Sequence, residues 1–242
     1  MTNARCRVAA LQVVVGTMLM ALVVGCNGAG VLSELKVRPQ PRAVSADDGN
    51  AVMLPRDEPF AVALAPSRQS PGLVGKADAN SSANRDGNAE AAASVEDGGS
   101  AQAGFQLGHA FENSADRQVE LNVRVHCSYE TSAEATPPSP LPDAKVSLKL
   151  FARDGRNRLL RNFCLAQHST EEGAAVSTDE KDVRFVLHLG PRESVTIFVA
   201  GNVEIETPDE RSARGSIKLS GLTMEVTSTM APPVEAAGDE RS

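Results

Sequence analysis

Four arginines surround one dipeptide in the second half of the chain, Asp154-Gly155. Guanidinium groups bind phosphates and carboxylates through paired hydrogen bonds, and several of them at one loop create a positive local potential. Because Asp-Gly is a favoured hairpin turn, we expect these side chains near the tip of one hairpin, where they would bind a phosphate, a carboxylated glycan or an acidic protein loop. The sequence favours the other interpretation, an ordinary solvated turn. The four residues are Arg153, Arg156, Arg158 and Arg161.

A group of carboxylates lies near residue 205. Glu204 and Glu206 share one face of a predicted strand, and Asp209 and Glu210 follow it directly. Oxygen-rich groups of this kind hold Ca²⁺ or supply the acid and base of glycoside hydrolysis. They also protect an edge strand against pairing with another chain. The sequence favours this last interpretation.

The familiar catalytic and metal-binding motifs are missing. The sequence has no Gly-x-Ser-x-Gly, His-Glu-x-x-His, P-loop or Cys-x-x-Cys motif, and no Gly-x-Gly-x-x-Gly that opens a helix. His126 and His188 would form a metal-binding pair if their strands were adjacent, and solvated surface histidines are the alternative. We therefore assign no catalytic residue, metal or cofactor, and we favour a binding or structural protein over an enzyme.

The N-terminal residues 1–25 have the layout of a signal peptide. Arg5 and Arg7 precede an apolar run over residues 8–24, and no acidic residue occurs before Glu34. The run is close to the roughly 20 residues that span a bilayer as a helix. An uncleaved transmembrane anchor is therefore an alternative to a cleaved signal.

The end of this run favours cleavage. The tetrapeptide Val23-Val24-Gly25-Cys26 resembles the lipobox of bacterial lipoproteins. The resemblance implies cleavage after Gly25 and a diacylglycerol on the thiol of Cys26, and two or three acyl chains on one residue attach a protein stably to a membrane. Asn27 stands where enteric lipoproteins of the inner membrane carry Asp, which favours the outer membrane. The resemblance thus implies an extracytoplasmic protein of the bacterial cell envelope, anchored in the membrane by lipid on Cys26.

From residue 26 to residue 103 the composition predicts a flexible tether. Residues 75–104 are mostly Ala, Asn, Ser, Gly and acids, which bury too little apolar surface to offset the entropy of ordering. The Ala-rich residues 89–95 are too few for an isolated helix. Residues 51–64 contain enough Val, Leu and Phe for one or two short strands that would join the downstream domain.

The clearest structural signal is the alternation of residues 119–129, "VELNVRVHCSY". Apolar residues occupy the odd positions, which is the period of a half-buried strand. Comparable runs follow, separated by turn signals at Asp154-Gly155, Gly190-Pro191 and Gly201-Asn202. Residues 104–230 are therefore predicted to form an all-β domain, an antiparallel β-sandwich that is jelly-roll-like, with an immunoglobulin-like topology as the alternative. Residues 231–242 are predicted to be a disordered tail. The other predicted strands cover residues 105–112, 145–153, 158–166, 183–189, 194–200, 203–207 and 217–227.

Two cysteines remain in the predicted domain, Cys127 and Cys164. An even pair in an oxidising envelope predicts a disulfide, which would stabilise the fold by roughly 3 to 4 kcal/mol in the chain-entropy model. Two separate buried thiols are the alternative.

Charge and aromatic content limit the partners. The formal net charge of −7 argues against general nucleic-acid binding, which depends on clustered Lys and Arg. The chain has no Trp and one Tyr, so stacking on sugar rings is disfavoured. Together with the envelope location that the lipobox resemblance implies, the sequence predicts a lipid-anchored envelope protein with a binding or structural role, whose partner is an envelope protein or polymer. The alternative is an envelope-polymer hydrolase with a carboxylate site that no motif reveals.

Overall fold

The computed structural model describes residues 37–45, 51–136 and 143–230. The predicted signal peptide, Cys26 and the tail 231–242 lie outside the described residues. Over the part described, the chain forms strands and one 3₁₀ turn, Thr170–Glu172, and contains no helix long and apolar enough to cross a membrane. The strands are β1 Arg42–Val44, β2 Val52–Leu54, β3 Val62–Leu64, β4 Ser67–Pro71, β5 Lys76–Ala83, β6 Ala89–Glu96, β7 Gly99–Asn113, β8 Val119–Thr136, β9 Ala144–Asp154, β10 Leu159–Ser169, β11 Ala175–Leu189, β12 Ser194–Thr207 and β13 Ser212–Met230.

These strands form two sheets. The first has the order β1-β7-β12-β9-β10, with β3 and β4 also paired to β7, and the second has the order β11-β8-β13-β6-β5, with β2 paired to β13. Among the eight long strands from β6 onward, every connection crosses between the sheets except the β9–β10 hairpin. All their pairings are antiparallel. The order β6-β13-β8-β11 opposite β7-β12-β9-β10 is that of a jelly roll. The predicted fold class is confirmed.

The core lies between the sheets and is built as the alternation predicts. The fully buried rings of Phe60, Phe105 and Phe111 fill it together with Val, Leu, Ile and Ala side chains. The hydroxyl of Tyr129 donates a hydrogen bond to the carbonyl of Leu165 at 2.8 Å, so this buried polar atom is satisfied. The inward-facing residues of β8 are all buried: Val119, Leu121, Val123, Val125, Cys127 and Tyr129.

The predicted boundary at residue 104 is wrong, because strands β1 to β6 and the start of β7 precede it. In β6 the alternate residues Ala89, Ala91, Ala93 and Val95 are buried. Their apolar surface is small, but β6 pairs with β13 on one side and β5 on the other, so the sheet satisfies its backbone hydrogen bonds. Composition reflects the apolar surface of a segment alone, but the stability of β6 comes from the sheet that it joins. Strands β2 and β3 confirm the expectation for residues 51–64.

Gly201-Asn202 does not end a strand, so the turn predicted there is wrong. Strand β12 continues through both residues to Thr207. Gly201 faces the core, where a Cβ would lie 2.4 Å from ring atoms of Phe105. The glycine therefore makes room for an aromatic ring and does not form a turn.

The predicted disulfide is also wrong. Cys127 faces the core on β8 of the second sheet, whereas Cys164 is exposed on β10 of the first sheet, and no bond joins them. Burial raises the pKa of the Cys127 thiol to about 11.

Candidate functional site

A row of polar side chains crosses four neighbouring strands on the outer face of the first sheet. Arg68 on β4 lies opposite Gln102 on β7, and Gln102 lies opposite Glu204 on β12. Glu204 in turn lies opposite Lys145 on β9. Side chains directly opposite one another in an antiparallel sheet are about 5 Å apart, so these four groups can contact one ligand.

The row lines a solvent-open cleft of about 270 Å³, which we call the polar cleft. The alternation of β12 buries Val203 and Ile205 and turns Glu204 and Glu206 outward. The polar residues that line the cleft are Arg68, Ser100, Gln102, Asp143, Lys145, Glu204 and Glu206.

Glu204 is held in a fixed position within the polar cleft. Its carboxylate accepts hydrogen bonds from Nδ2 of Asn202 at 2.7 Å and from Nε2 of Gln102 at 3.2 Å. Because β12 lies between β7 and β9, it is not an edge strand. Protection of an edge therefore does not explain the carboxylates, and that interpretation is wrong.

Asp143 forms the floor of the polar cleft. Its buried carboxylate makes an ion pair with Arg211, and its carbonyl accepts the N–H of Glu206 at 3.1 Å. Its own N–H donates to Oγ1 of Thr170 at 2.9 Å. Since the Asp143 charge is already balanced, the charged groups left to contact a ligand are Arg68, Lys145 and the two glutamates. Cationic donors and anionic acceptors thus lie together in one open cleft, which suits a polar ligand that forms hydrogen bonds.

The predicted hairpin around Asp154-Gly155 is present, and its geometry depends on Asp154. The carboxylate of Asp154 accepts the backbone N–H groups of Arg156 at 2.9 Å and Arg158 at 2.8 Å, and also Nε of Arg158 at 2.5 Å. Burial alone would raise the pKa of Asp154, but the hydrogen bonds from Arg158 and Arg156 outweigh it and lower that pKa.

Two of the four predicted arginines line a second cleft, of about 370 Å³, which we call the basic cleft. Arg156 and Arg158 meet Arg192 there, together with His188. The carboxylates of Asp154 and Glu193 also line it, so its cations outnumber its carboxylates by three to two. Arg192 belongs to the predicted turn at Gly190-Pro191, but no sequence rule shows that this turn and the β9–β10 turn are neighbours.

The other two predicted arginines point elsewhere. Arg153 donates to the carbonyl of Asn157 at 2.6 Å and lies over the ring of Phe151. Arg161 donates to the carbonyl of Leu160 at 3.0 Å and does not line the cleft.

The histidines do not form a metal site. Strands β8 and β11 are adjacent, but His126 lies opposite Asp182 and His188 opposite Glu120, which puts the two rings about 20 Å apart along the strands. Among the residues that the structure describes, no cluster of three or more His, Cys, Asp or Glu side chains could hold a metal ion.

His109 is a buried histidine that the sequence did not single out. Its Nδ1 accepts the N–H of Ala61 at 3.2 Å, so Nε2 carries the proton, and Nε2 lies 3.5 Å from the carboxylate of Glu58. Burial lowers the pKa of His109. The odd parity that it shares with Phe105, Leu107 and Phe111 on β7 is the signal that could have placed it inside.

The comparisons with known proteins do not show a family for this chain. No protein-family model matches the chain, and no curated protein does. Among solved structures, the family 11 carbohydrate-binding module of the cellulosomal cellulase Lic26A-Cel5E of Clostridium thermocellum is similar at 8% identity, over 76% of this chain and 98% of that one, with a TM-score of 0.25. The CBM22-1 xylan-binding domain of Paenibacillus barcinonensis Xyn10C matches at 13% identity, over 76% and 97%, with a TM-score of 0.20.

A longer solved protein also matches in part. The arabinose-bound MgGH51 α-L-arabinofuranosidase is 12% identical over 80% of this chain, with a TM-score of 0.24. This chain spans about a quarter of that protein's length, since 25% of it is covered. At TM-scores this low, none of the three likenesses carries an argument about the ligand.

Proposed function

We propose that this chain is a lipid-anchored protein of the bacterial cell envelope whose jelly roll binds a polar envelope polymer or protein at the polar cleft. The observation that carries the binding role is the row from Arg68 to Lys145, which presents fixed polar groups across four strands. The binding groups lie on strands of a rigid sheet, and Glu204 is held by two hydrogen bonds before any ligand arrives. Such preorganisation lowers the entropic cost of binding.

The lipid anchor is supported by the sequence. The lipobox-like residues 23–26 end the apolar run, and only ten residues separate Cys26 from Val37, where the described chain begins. A fully extended segment of that length reaches at most about 40 Å. The anchor proposed here therefore keeps the domain near the membrane, in place of the long tether that the composition predicted.

Binding at the polar cleft is tested by capture from envelope extract and by sedimentation with the insoluble cell-wall fraction, using a chain that begins at residue 27. The variant Glu204→Ala/Lys145→Ala removes one cross-strand pair in the cleft. The matched control is Glu90→Ala/Lys218→Ala, which removes an exposed cross-strand pair from the second sheet. We expect the first variant to lose at least about tenfold in binding, since charge-assisted hydrogen bonds are worth roughly 1.5 to 3 kcal/mol each. Equal retention by both variants would contradict a site in the cleft.

The anchor is tested separately, by metabolic labelling with a fatty acid. Wild type should incorporate label and Cys26→Ala should not. Equal label in both proteins contradicts a lipid on Cys26, and a purified product that begins at Met1 supports an uncleaved transmembrane anchor.

One observation favours a second function, hydrolysis of an envelope polymer. The polar cleft brings Glu204 and Glu206 together with a third acid, Asp143. Glycoside hydrolysis needs a pair of carboxylates, one of them protonated. A hydrolase should release soluble fragments from the cell-wall fraction. Glu206→Gln should abolish this release, while binding to the cell-wall fraction persists. Binding without release supports the primary proposal.

A further inference from the structure

The described chain begins beside the basic cleft. Val37, Arg38, Pro39 and Pro41 line a cleft of about 310 Å³ together with residues of the β9–β10 turn. Asp154, Gly155 and Ser194 line both this cleft and the basic cleft. The segment that leads back to Cys26 therefore meets the sandwich at the end that carries the basic cleft.

Two cations at this end have no anionic partner among the described residues. The guanidinium groups of Arg156 and Arg192 have no hydrogen-bonding or ion-pair partner among the described residues, whereas Arg158 is paired with Asp154 at 2.5 Å. Both line the basic cleft and come from adjacent turns. Their positive potential is thus available to an external anion.

Exposed apolar side chains accompany these cations. Leu159, which begins β10 directly after the arginine-bearing turn, is 50% exposed, and Val37 is 43% exposed. Met230, 50% exposed, lies opposite Val119 at the same end of the second sheet. Apolar side chains next to cations are the composition of surfaces that bind at the headgroup layer of a membrane.

The opposite end of the sandwich has the reverse charge. Its turns expose Asp97, Asp209 and Glu210, and they contact the loop that carries the exposed Leu73 and Val74. An anionic surface would repel this end although it too has apolar side chains. The difference in charge gives the domain a preferred orientation.

We propose that the end carrying Arg156, Arg192, Leu159 and Val37 docks on an anionic phospholipid surface and orients the jelly roll on its membrane. This inference rests on the proposed lipid anchor, because the ten residues between Cys26 and Val37 hold this end within about 40 Å of Cys26. The guanidinium groups bind headgroup phosphates, and the apolar side chains enter the interface. Lys145 of the polar cleft lies nine residues from Asp154 along β9, so the polar cleft is about 30 Å from the docked end and faces outward.

Docking is tested without the lipid, so that it is measured apart from the anchor. A chain that begins at residue 27 is sedimented at low salt with vesicles of equal parts phosphatidylglycerol and phosphatidylcholine, and with phosphatidylcholine alone. We expect binding to the anionic vesicles only. Arg156→Gln/Arg192→Gln should reduce it about 25-fold, since one arginine near an anionic leaflet contributes about fivefold. Equal binding to both vesicle types, or none to the anionic ones, overturns the proposal.

The matched controls are at the opposite end. Lys76→Gln/Arg214→Gln removes two exposed cations there and should leave vesicle binding unchanged. Leu159→Ser should weaken binding, whereas Leu73→Ser should not. Losses of equal size in the two double variants would show that only net charge matters and would overturn the docked orientation. Failure of fatty-acid labelling bears on the anchor alone, because the docking assay uses unlipidated protein.

Discussion

Gly201 on β12 lies directly opposite Phe105 on β7, and the aromatic ring occupies the place that a side chain on Gly201 would need. The fully buried ring spans the inner face of the first sheet at this point. A residue that looks like a turn signal is thus one half of a packing pair in the middle of a fourteen-residue strand.

This relationship predicts that Gly201→Ala destabilises the protein. A Cβ placed 2.4 Å from the ring forces the ring or the strand to move, which costs about 1 to 3 kcal/mol. The measurement is urea unfolding followed by circular dichroism. Phe105→Leu should relieve the clash, so the double variant should be less destabilised than the sum of the two single variants. Additive losses would contradict a direct contact between the two residues.

The sequence reveals the long strands well because each carries its own alternation, as Val119 to Tyr129 does in β8. It fails where a strand depends on its neighbours. In β6 the buried alternate residues are mostly alanine, and their small apolar surface gives only a weak strand pattern in the sequence. Only the pairing with β13 shows that β6 belongs to the sandwich. The same limit applies to the sites. The cross-strand row of the polar cleft depends on register between strands that are up to about a hundred residues apart, such as Gln102 and Glu204.

The ion pair between Asp143 and Arg211 should stabilise the fold below the polar cleft. In Asp143→Asn the guanidinium loses its buried partner, and we expect a loss of about 2 to 3 kcal/mol, below the range for a fully buried pair because the Arg211 side chain is 20% exposed. Chemical denaturation measures it. Glu134→Gln is the control, since its pair with Arg214 is largely exposed and should contribute less than about 1 kcal/mol. A similar loss in both variants would contradict the assigned role of Asp143.

The two thiols of the domain should react at very different rates. Cys127 is 1% exposed and burial raises its pKa to about 11, so the reactive thiolate is scarce at neutral pH and the alkylating reagent has no access to it. Cys164 is exposed. Iodoacetamide should therefore modify Cys164 in the native protein and both residues after unfolding, as read by peptide mass spectrometry. Native Cys164→Ser should take up no label within the domain. A Cys127–Cys164 peptide linked by a disulfide would contradict the separation of the two thiols.

The buried ring of His109 should make the protein sensitive to acid. Burial lowers the pKa of His109, and the positive charge of Arg42 lowers it further. The carboxylate of Glu58, 3.5 Å away, raises this pKa but does not outweigh the burial. The unfolded chain then binds the proton more readily than the folded one, at the ordinary value of 6.5. Stability from the neutral ring is fully present above pH 6.5 and decreases as the pH falls from there towards the pKa of the folded state. His109→Asn keeps an acceptor for the N–H of Ala61 and cannot titrate. The difference in unfolding free energy between wild type and His109→Asn should therefore shrink below pH 6.5. Parallel stability curves for wild type and His109→Asn would contradict the effect of the buried ring.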